Sequence, residues 1–175
     1  MSVRLRPATE ADEAFLANLY CDVHAAEFAP LQLPAAALAQ LFQMQWRAQQ
    51  MSYRAQFPHA EDSILMLPEA PIGRMLVARE AGSIRIVDIA LLADFRRQGF
   101  GGLCLSKICA EARAAGLSVD LSVRAGNPAA NLYRRLGFVE TGSNGIDIAM
   151  QLSGPHRCAR PLPPPPHFCV KSSSH

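Results

Sequence analysis

The chain has no long apolar run and almost no net charge, and each lack narrows what it can be. No stretch approaches the roughly 20 residues needed to span a bilayer, so no membrane association is expected. The formal net charge is only +2 and the basic residues are scattered, which gives a nucleic-acid backbone nothing to hold. Met1-Ser2-Val3-Arg4-Leu5-Arg6-Pro7 lacks the apolar core of a signal peptide, and the expected location is the cytoplasm. Cysteines number five, an odd count, and Cys21, Cys104 and Cys109 lie in apolar helical patterns. Reduced core thiols are therefore expected in place of a disulfide framework. Nucleotide fingerprints are missing too: Gly-x-x-x-x-Gly-Lys-Ser/Thr does not occur, and Cys104 stands where Gly-x-Gly-x-x-Gly, begun by Gly99 and Gly101, requires its third glycine. Asp120 falls at a suitable distance for a ribose contact, but inside its strand and not at its end.

What is present is the composition of a globule. An apolar fraction of 50% against 18% charged residues supports a single core, and 175 residues suit one domain. Val3 to Arg6 alternates as a strand that Pro7 ends; Thr9 caps a helix carrying Ala14, Phe15, Leu19 and Val23. Pro34 suits the first turn of a second helix to about Phe57, whose mixed face holds Leu38, Leu41, Phe42, Gln45, Trp46, Gln49 and Tyr53. Ser63–Leu67, Gly73–Glu80 and Ser83–Leu92 then read as an antiparallel meander, with turn signals at Pro68 to Pro71 and Ala81-Gly82. A helix from about Gly99 to Ala115 ends at Gly116, a strand spans Ser118–Val123, and Asn127-Pro128 opens a short helix closed by Gly137. Phe138–Thr141 and Ile146–Gln151 complete the order β-α-α-β-β-β-α-β-α-β-β, an α/β protein with a mixed sheet.

From Ser153 the composition changes to a proline-rich tail, 153–175, expected to lie outside a folded domain of residues 1–152. His156-x-Cys158 and His167-x-Cys169 are donor pairs, but their one-residue spacing is tighter than the usual two to four, and no metal site is expected.

The chemistry concentrates at Arg96-Arg97-Gln98-Gly99-Phe100-Gly101-Gly102, where an apolar strand hands over to a helix. Glycines there let backbone approach a ligand, and a helix start offers unpaired N–H groups and the positive end of the macrodipole. Such a turn invites phosphate without a lysine.

The stretch from Ile89 to Gly101 resembles the acyl-CoA-binding motif of the GNAT N-acetyltransferases, Arg or Gln, two residues, Gly, any residue, then Gly or Ala; Arg96, Gly99 and Gly101 fill it. A second block, Asn127 to Phe138, resembles the helix and strand that complete that family's cofactor site, and the element order is the family's own. The resemblance covers roughly residues 1 to 152 and implies a GNAT-like acyl-CoA N-acyltransferase fold. It implies acetyl-CoA as donor, bound by Ile89, Ala90 and Leu91 along its pantetheine arm and by Arg96, Arg97, Gln98, Gly99, Phe100, Gly101 and Gly102 at its pyrophosphate, with Asn127 and Tyr133 alongside. An amide of Ile89 to Leu91 would polarise the thioester carbonyl.

Tyr133 occupies the position of the family's general acid, and transfer to a primary amine by direct attack is the implied reaction. A core aromatic between Leu132 and Leu136 with its hydroxyl at the surface is the competing reading, while Asn127 is expected both to cap its helix and to lie near the cofactor. The general base stays open: Asp88 lies on the strand face opposite Ile89 and Leu91, while Glu27, Glu61 and Asp62 lie toward the acceptor side. The helix bearing Gln43, Gln45, Gln49, Gln50, Trp46 and Tyr53 is a candidate acceptor wall. The acceptor is a small-molecule or protein amine, a homodimer is one assembly open to the chain, and a catalytically silent acyl-CoA-binding module is the alternative function.

Overall fold

The computed structural model describes residues 3–68 and 70–154; the proline-rich segment, with both His-x-Cys pairs, lies outside the described residues. Seven strands form one sheet: β1 (Arg4–Pro7), β2 (Glu61–Leu67), β3 (Ala70–Arg79), β4 (Ser83–Leu91), β5 (Ser118–Arg124), β6 (Val139–Ser143) and β7 (Asp147–Leu152). Four helices accompany them: α1 (Glu13–Phe28), α2 (Ala35–Gln56), α3 (Phe100–Ala115) and α4 (Ala129–Arg135). The strand order is β1-β2-β3-β4-β5-β7-β6, with β4–β5 the one parallel pair among these neighbours. The expected element order holds throughout, and β2-β3-β4 is the antiparallel meander.

Two local expectations shift. Thr9 precedes a short 3-10 turn, Glu10–Asp12, before α1 begins, because the Asp12 carboxylate turns back onto the Thr9 N–H (2.8 Å) and hydroxyl (3.0 Å). Pro34 sits just outside α2 as its N-cap, with the extended ψ of 145° that its ring permits, and Leu38 makes the first helical bond to its carbonyl.

Helices cover both faces of the sheet, which is why β3 is buried at every position from Ile72 to Ala78. On one face, α3 contributes Cys104, Leu105, Ile108, Cys109 and Ala112 to the main core, a stripe at helical spacing against Ile84, Ile86, Leu121 and Val123. Each large apolar side chain so buried contributes about 1.5–3 kcal/mol. On the other face, α1 and α2 pack Leu16, Leu19, Val23, Trp46 and Tyr53 in three smaller clusters against Ile64, Leu76, Val87 and Ala90. Cys104 and Cys109 are buried free thiols, and Cys21 is half-buried and also reduced.

The sheet is not continuous. Parallel pairing of β4 with β5 runs only from Ser83↔Ser118 to Ile86↔Leu121, after which β4 keeps β3 and β5 keeps β7. The split begins where β4 carries an extra residue: Ile86 faces Val77 and Asp88 faces Leu76, leaving Val87 as a bulge. The extra residue also reverses parity. Ile84 and Ile86 point into the main core before it, Ile89 after it, and Asp88 and Ala90 are turned to the face of α1 and α2. Arg85 secures the paired part, donating to the Ser122 hydroxyl across the two strands (3.0 Å).

Candidate functional site

Beyond the bulge, the side of β4 that β5 has left is an open strand edge. Leu92 N–H donates to Ile72 C=O (3.0 Å), which fixes the ladder phase: Ala90 shares its backbone bonds with β3, and Ile89 and Leu91 turn theirs toward the opening. These are the residues expected to carry a pantetheine arm. The Leu91 carbonyl already accepts a bond from Arg96 Nε (2.8 Å).

The glycine turn lies at the mouth of that opening. Arg97 (φ 57°) and Gly99 (φ 86°) adopt left-handed backbone, and Gly99 caps α3. The first helical bond at this end runs from Leu103 N–H to the Gly99 carbonyl, so the amides of Phe100, Gly101 and Gly102 have no acceptor within the helix. Phe100 is buried and anchors the turn against Phe95. A Cβ on Gly101 would lie 3.7 Å from Leu91 Cδ1, and one on Gly102 3.6 Å from Leu132 Cδ1. Folding thus leaves room there for side chains, and the bare backbone forms a cradle between β4 and α4 that suits a pyrophosphate.

The flanking polar side chains are less available than their charges suggest. Arg96 gives its Nη2 to Asp22 Oδ2 on α1 (2.6 Å), and the same oxygen accepts the Ala93 N–H (2.8 Å). Its charge is therefore matched by Asp22. Gln98 folds back onto the Asp94 carbonyl, and Arg97 remains exposed.

Across the opening, Asn127 does cap α4: its side-chain oxygen accepts the Ala129 N–H (2.9 Å). Tyr133 follows on the inner face of α4, 1% exposed, in the main core with Ile89 and Leu121 and edge-on to Phe138 at 5.9 Å. Its hydroxyl is inside the protein, not at the surface.

On the α1/α2 face lies a small cleft, open to solvent, between α1, α2 and β4. Arg74, a residue passed over in the sequence, is its charged floor: 3% exposed, paired with Asp62 through Nε–Oδ1 (2.8 Å) and Nη2–Oδ2 (2.7 Å), and donating to Gln50 Oε1 (2.9 Å). Trp46 and Tyr53 rings flank the guanidinium, each 5.8 Å away, and Asp88 Oδ2 stands 3.9 Å from Nη1. Burial opposes the charge on Arg74, but Asp62 and Asp88 outweigh it and hold the group above its ordinary pKa. The only sequence signal was one arginine inside an apolar strand.

Of the other candidate acids, Glu61 pairs with Arg79 (2.6 Å) and Glu27 with His24. On α2, Trp46 and Tyr53 are buried, Gln49 and Gln50 half-buried, and Gln43 and Gln45 exposed, and of these six Trp46 and Gln49 line the cleft. Among the described residues no group of three metal-ligating side chains occurs, and no helix is long and apolar enough to cross a membrane.

No protein of curated function matches the chain. Solved structures do. PaiA N-acetyltransferase from Thermoplasma acidophilum, in complex with coenzyme A, is 15% identical with a TM-score of 0.66, covering 87% of this chain and 99% of its own. An acetyltransferase from Thermus thermophilus is 18% identical with a TM-score of 0.62, covering 87% and 97%. The histone acetyltransferase HPA2 and related acetyltransferase from Corynebacterium glutamicum is 22% identical with a TM-score of 0.60, covering 91% and 100%. At such identities the likeness establishes the fold. The family described as acetyltransferase (GNAT) domain matches residues 59–140, which span the open edge of β4, the glycine turn and α4. Residues 59–140 thus match the GNAT acetyltransferase domain, on a fold shared with solved acetyltransferases.

Proposed function

We propose that the chain is a cytoplasmic N-acetyltransferase that moves an acetyl or short acyl group from acetyl-CoA to a primary amine by direct attack. The observation that carries the reading is the meeting of three features: the strand edge at Ile89 to Leu91, the bare glycine cradle at the start of α3, and Tyr133 on α4, buried in the same core as Ile89. Bound acetyl-CoA supplies the acyl thioester electrophile. The amides of Phe100 to Gly102 take the pyrophosphate at the positive end of the helix dipole, with Arg97 adding charge. The Ile89 N–H, directed into the opening, donates to the thioester carbonyl oxygen as charge gathers there. Tyr133 holds the proton that the departing sulfur takes up. Arg96 positions: it fixes the Leu91 carbonyl and ties the turn to α1.

The test is CoA and acetyl-CoA binding by calorimetry, followed by thiol release with a broad panel of amines. Micromolar binding with amine-dependent thiol release is the expected result. Binding without transfer to any amine would make this a silent acyl-CoA-binding domain, and absence of binding would remove the donor assignment itself.

A further inference from the structure

Resting on the acyl-transfer reading, we infer that the chain selects acetyl-CoA against longer and acidic acyl-CoAs by a stop at the closed end of the split between β4 and β5, made by Val87 and Ser122 and backed by the end of α2. The direction of the acyl chain follows from the order of the parts along β4. The glycine cradle comes just after the strand ends at Leu91, and in that reading the pantetheine arm runs back from Leu91 to Ile89, where the thioester carbonyl meets the Ile89 N–H. The acyl carbons therefore point onward, toward Val87 and away from the mouth of the opening.

Ile86↔Leu121 is the last pair of the parallel ladder, so Val87 and Ser122 are the first residues of the two strands beyond it. Both line a small cavity together with Arg85 and, from the end of α2, Tyr53 and Phe57. It has room for about one water molecule, close to the size of a methyl group. The stop is held from several sides. Val87 packs in a buried cluster with Tyr53, Leu76 and Ala78, with Phe57 against it, and such close packing leaves its side chain nowhere to retreat. Arg85 donates to the Ser122 hydroxyl (3.0 Å), and its guanidinium stands 5.9 Å from the centre of the Phe57 ring, which ties β4, β5 and the end of α2 together. A helix on the opposite face of the sheet from α3 thus bounds the acyl group of the donor.

Polarity acts in the same direction as size. The extra carbons of a propionyl or butyryl chain would press on the Arg85 guanidinium and the Ser122 hydroxyl, covering polar groups without replacing their hydrogen bonds. An acyl chain that ends in a carboxylate gains little from Arg85, because Asp120 stands opposite it in the ladder and acts on its charge together with Glu80. Asp120 is itself buried and accepts a bond from Gln151 Nε2 (2.8 Å), which holds it in place.

The full chain is titrated by calorimetry with CoA, acetyl-CoA, propionyl-CoA, butyryl-CoA and succinyl-CoA, and thiol release is followed with the amine that gives the most from acetyl-CoA. Acetyl-CoA should bind at least as tightly as CoA. Propionyl-CoA should bind about tenfold more weakly than acetyl-CoA, and butyryl-CoA and succinyl-CoA about a hundredfold, the range that surplus methylenes produce in a closed pocket. Thiol release should fall in the same order. Val87→Ala extends the space and should bring propionyl-CoA to within about threefold of acetyl-CoA, with CoA binding unchanged. Ser122→Val fills it and should weaken acetyl-CoA about tenfold, again with CoA binding unchanged. Propionyl-, butyryl- or succinyl-CoA binding as tightly as acetyl-CoA overturns the inference, and so do folded Val87→Ala and Ser122→Val proteins that bind all five as the parent chain does. A parent chain that binds none of the five overturns the donor reading beneath it instead.

Discussion

Asp22 and Arg96 meet through a 2.6 Å charge-assisted hydrogen bond that joins α1, a wall of the cleft on the α1/α2 face, to the first residue of the glycine turn. The same Asp22 oxygen holds the Ala93 N–H, and the same guanidinium holds the Leu91 carbonyl. One carboxylate thus fixes the end of β4 and the turn that follows it. Asp22→Asn should raise the KM for acetyl-CoA about threefold to tenfold with kcat nearly unchanged, because it loosens the cradle and leaves the reacting groups alone. Both groups are partly exposed, so the cost in stability should be only about 1 kcal/mol, read from denaturant unfolding. An unchanged KM would show that the turn holds its shape without α1.

Tyr133→Phe separates the general-acid role from packing. The ring keeps its place in the core and its edge contact with Phe138, so thermal stability should change little. Removal of a positioned proton donor should lower kcat by about 10²–10⁴ with acetyl-CoA affinity preserved. A variant with parental kcat would leave Tyr133 as a core aromatic only.

Gly99 and Gly101 should respond differently to alanine. Gly99 lies at φ 86° with nothing within 4 Å of an added Cβ, so Gly99→Ala carries backbone strain of about 1–2 kcal/mol without a clash. Gly101→Ala meets Leu91 at an ordinary 3.7 Å and should leave the melting temperature nearly unchanged. Its methyl group occupies the space proposed for the pyrophosphate, and CoA affinity should fall by tenfold or more in calorimetry. Equal CoA binding by Gly101→Ala and the parent chain would place the phosphates elsewhere.

Most of the fold was legible because local chemistry punctuates it. Pro7, Pro34, Gly116 and Gly137 mark ends that the structure reproduces within a residue or two, and the glycine turn and the Asn127 to Phe138 block each fall at the element boundaries expected of them. The cleft on the α1/α2 face was not legible. Its floor is Arg74, whose partners Gln50 and Asp62 lie 24 and 12 residues away in sequence, and Asp22 reaches across 74 residues to Arg96. Pairings set by tertiary folding leave no local pattern. The bulge at Val87 was equally silent, since one extra residue in an apolar strand looks like any other until its partner strand is known.

Asp12 should give stability a specific acid dependence. The Arg6 guanidinium, bonded to its carboxylate at 2.6 and 2.8 Å, and next the Thr9 N–H hold the Asp12 carboxyl well below the usual carboxylate range. A pKa depressed on folding contributes stability that is present above the unfolded value, about 4, and is lost as pH falls toward the folded one. Asp12→Asn should therefore melt about 2–4 °C lower at pH 7, the size of a lost cap of about 1 kcal/mol. The two melting curves should converge as pH drops from 4 toward 2. A gap constant across that range would assign the effect to packing and not to the carboxylate.

Gly73 on β3 tests whether the open edge of β4 is shaped from behind. It pairs with Leu91, and a Cβ there would stand 2.3 Å from the Ala90 carbonyl oxygen and 2.8 Å from Leu91 Cδ2. The carbonyl belongs to a paired strand and cannot swing aside as a side-chain tip can, so Gly73→Ala must push β3 and β4 apart. Overpacking of this kind costs about 1–3 kcal/mol, measurable as a lower denaturant midpoint. The displaced backbone is Ala90 and Leu91, the strand proposed to carry the pantetheine arm. Stability and acetyl-CoA affinity should therefore fall together in Gly73→Ala, whereas Gly101→Ala loses affinity alone. If Gly73→Ala is destabilised yet binds acetyl-CoA as tightly as the parent chain, the position of Ala90 and Leu91 does not govern donor binding, and the track assigned to that edge would have to be withdrawn.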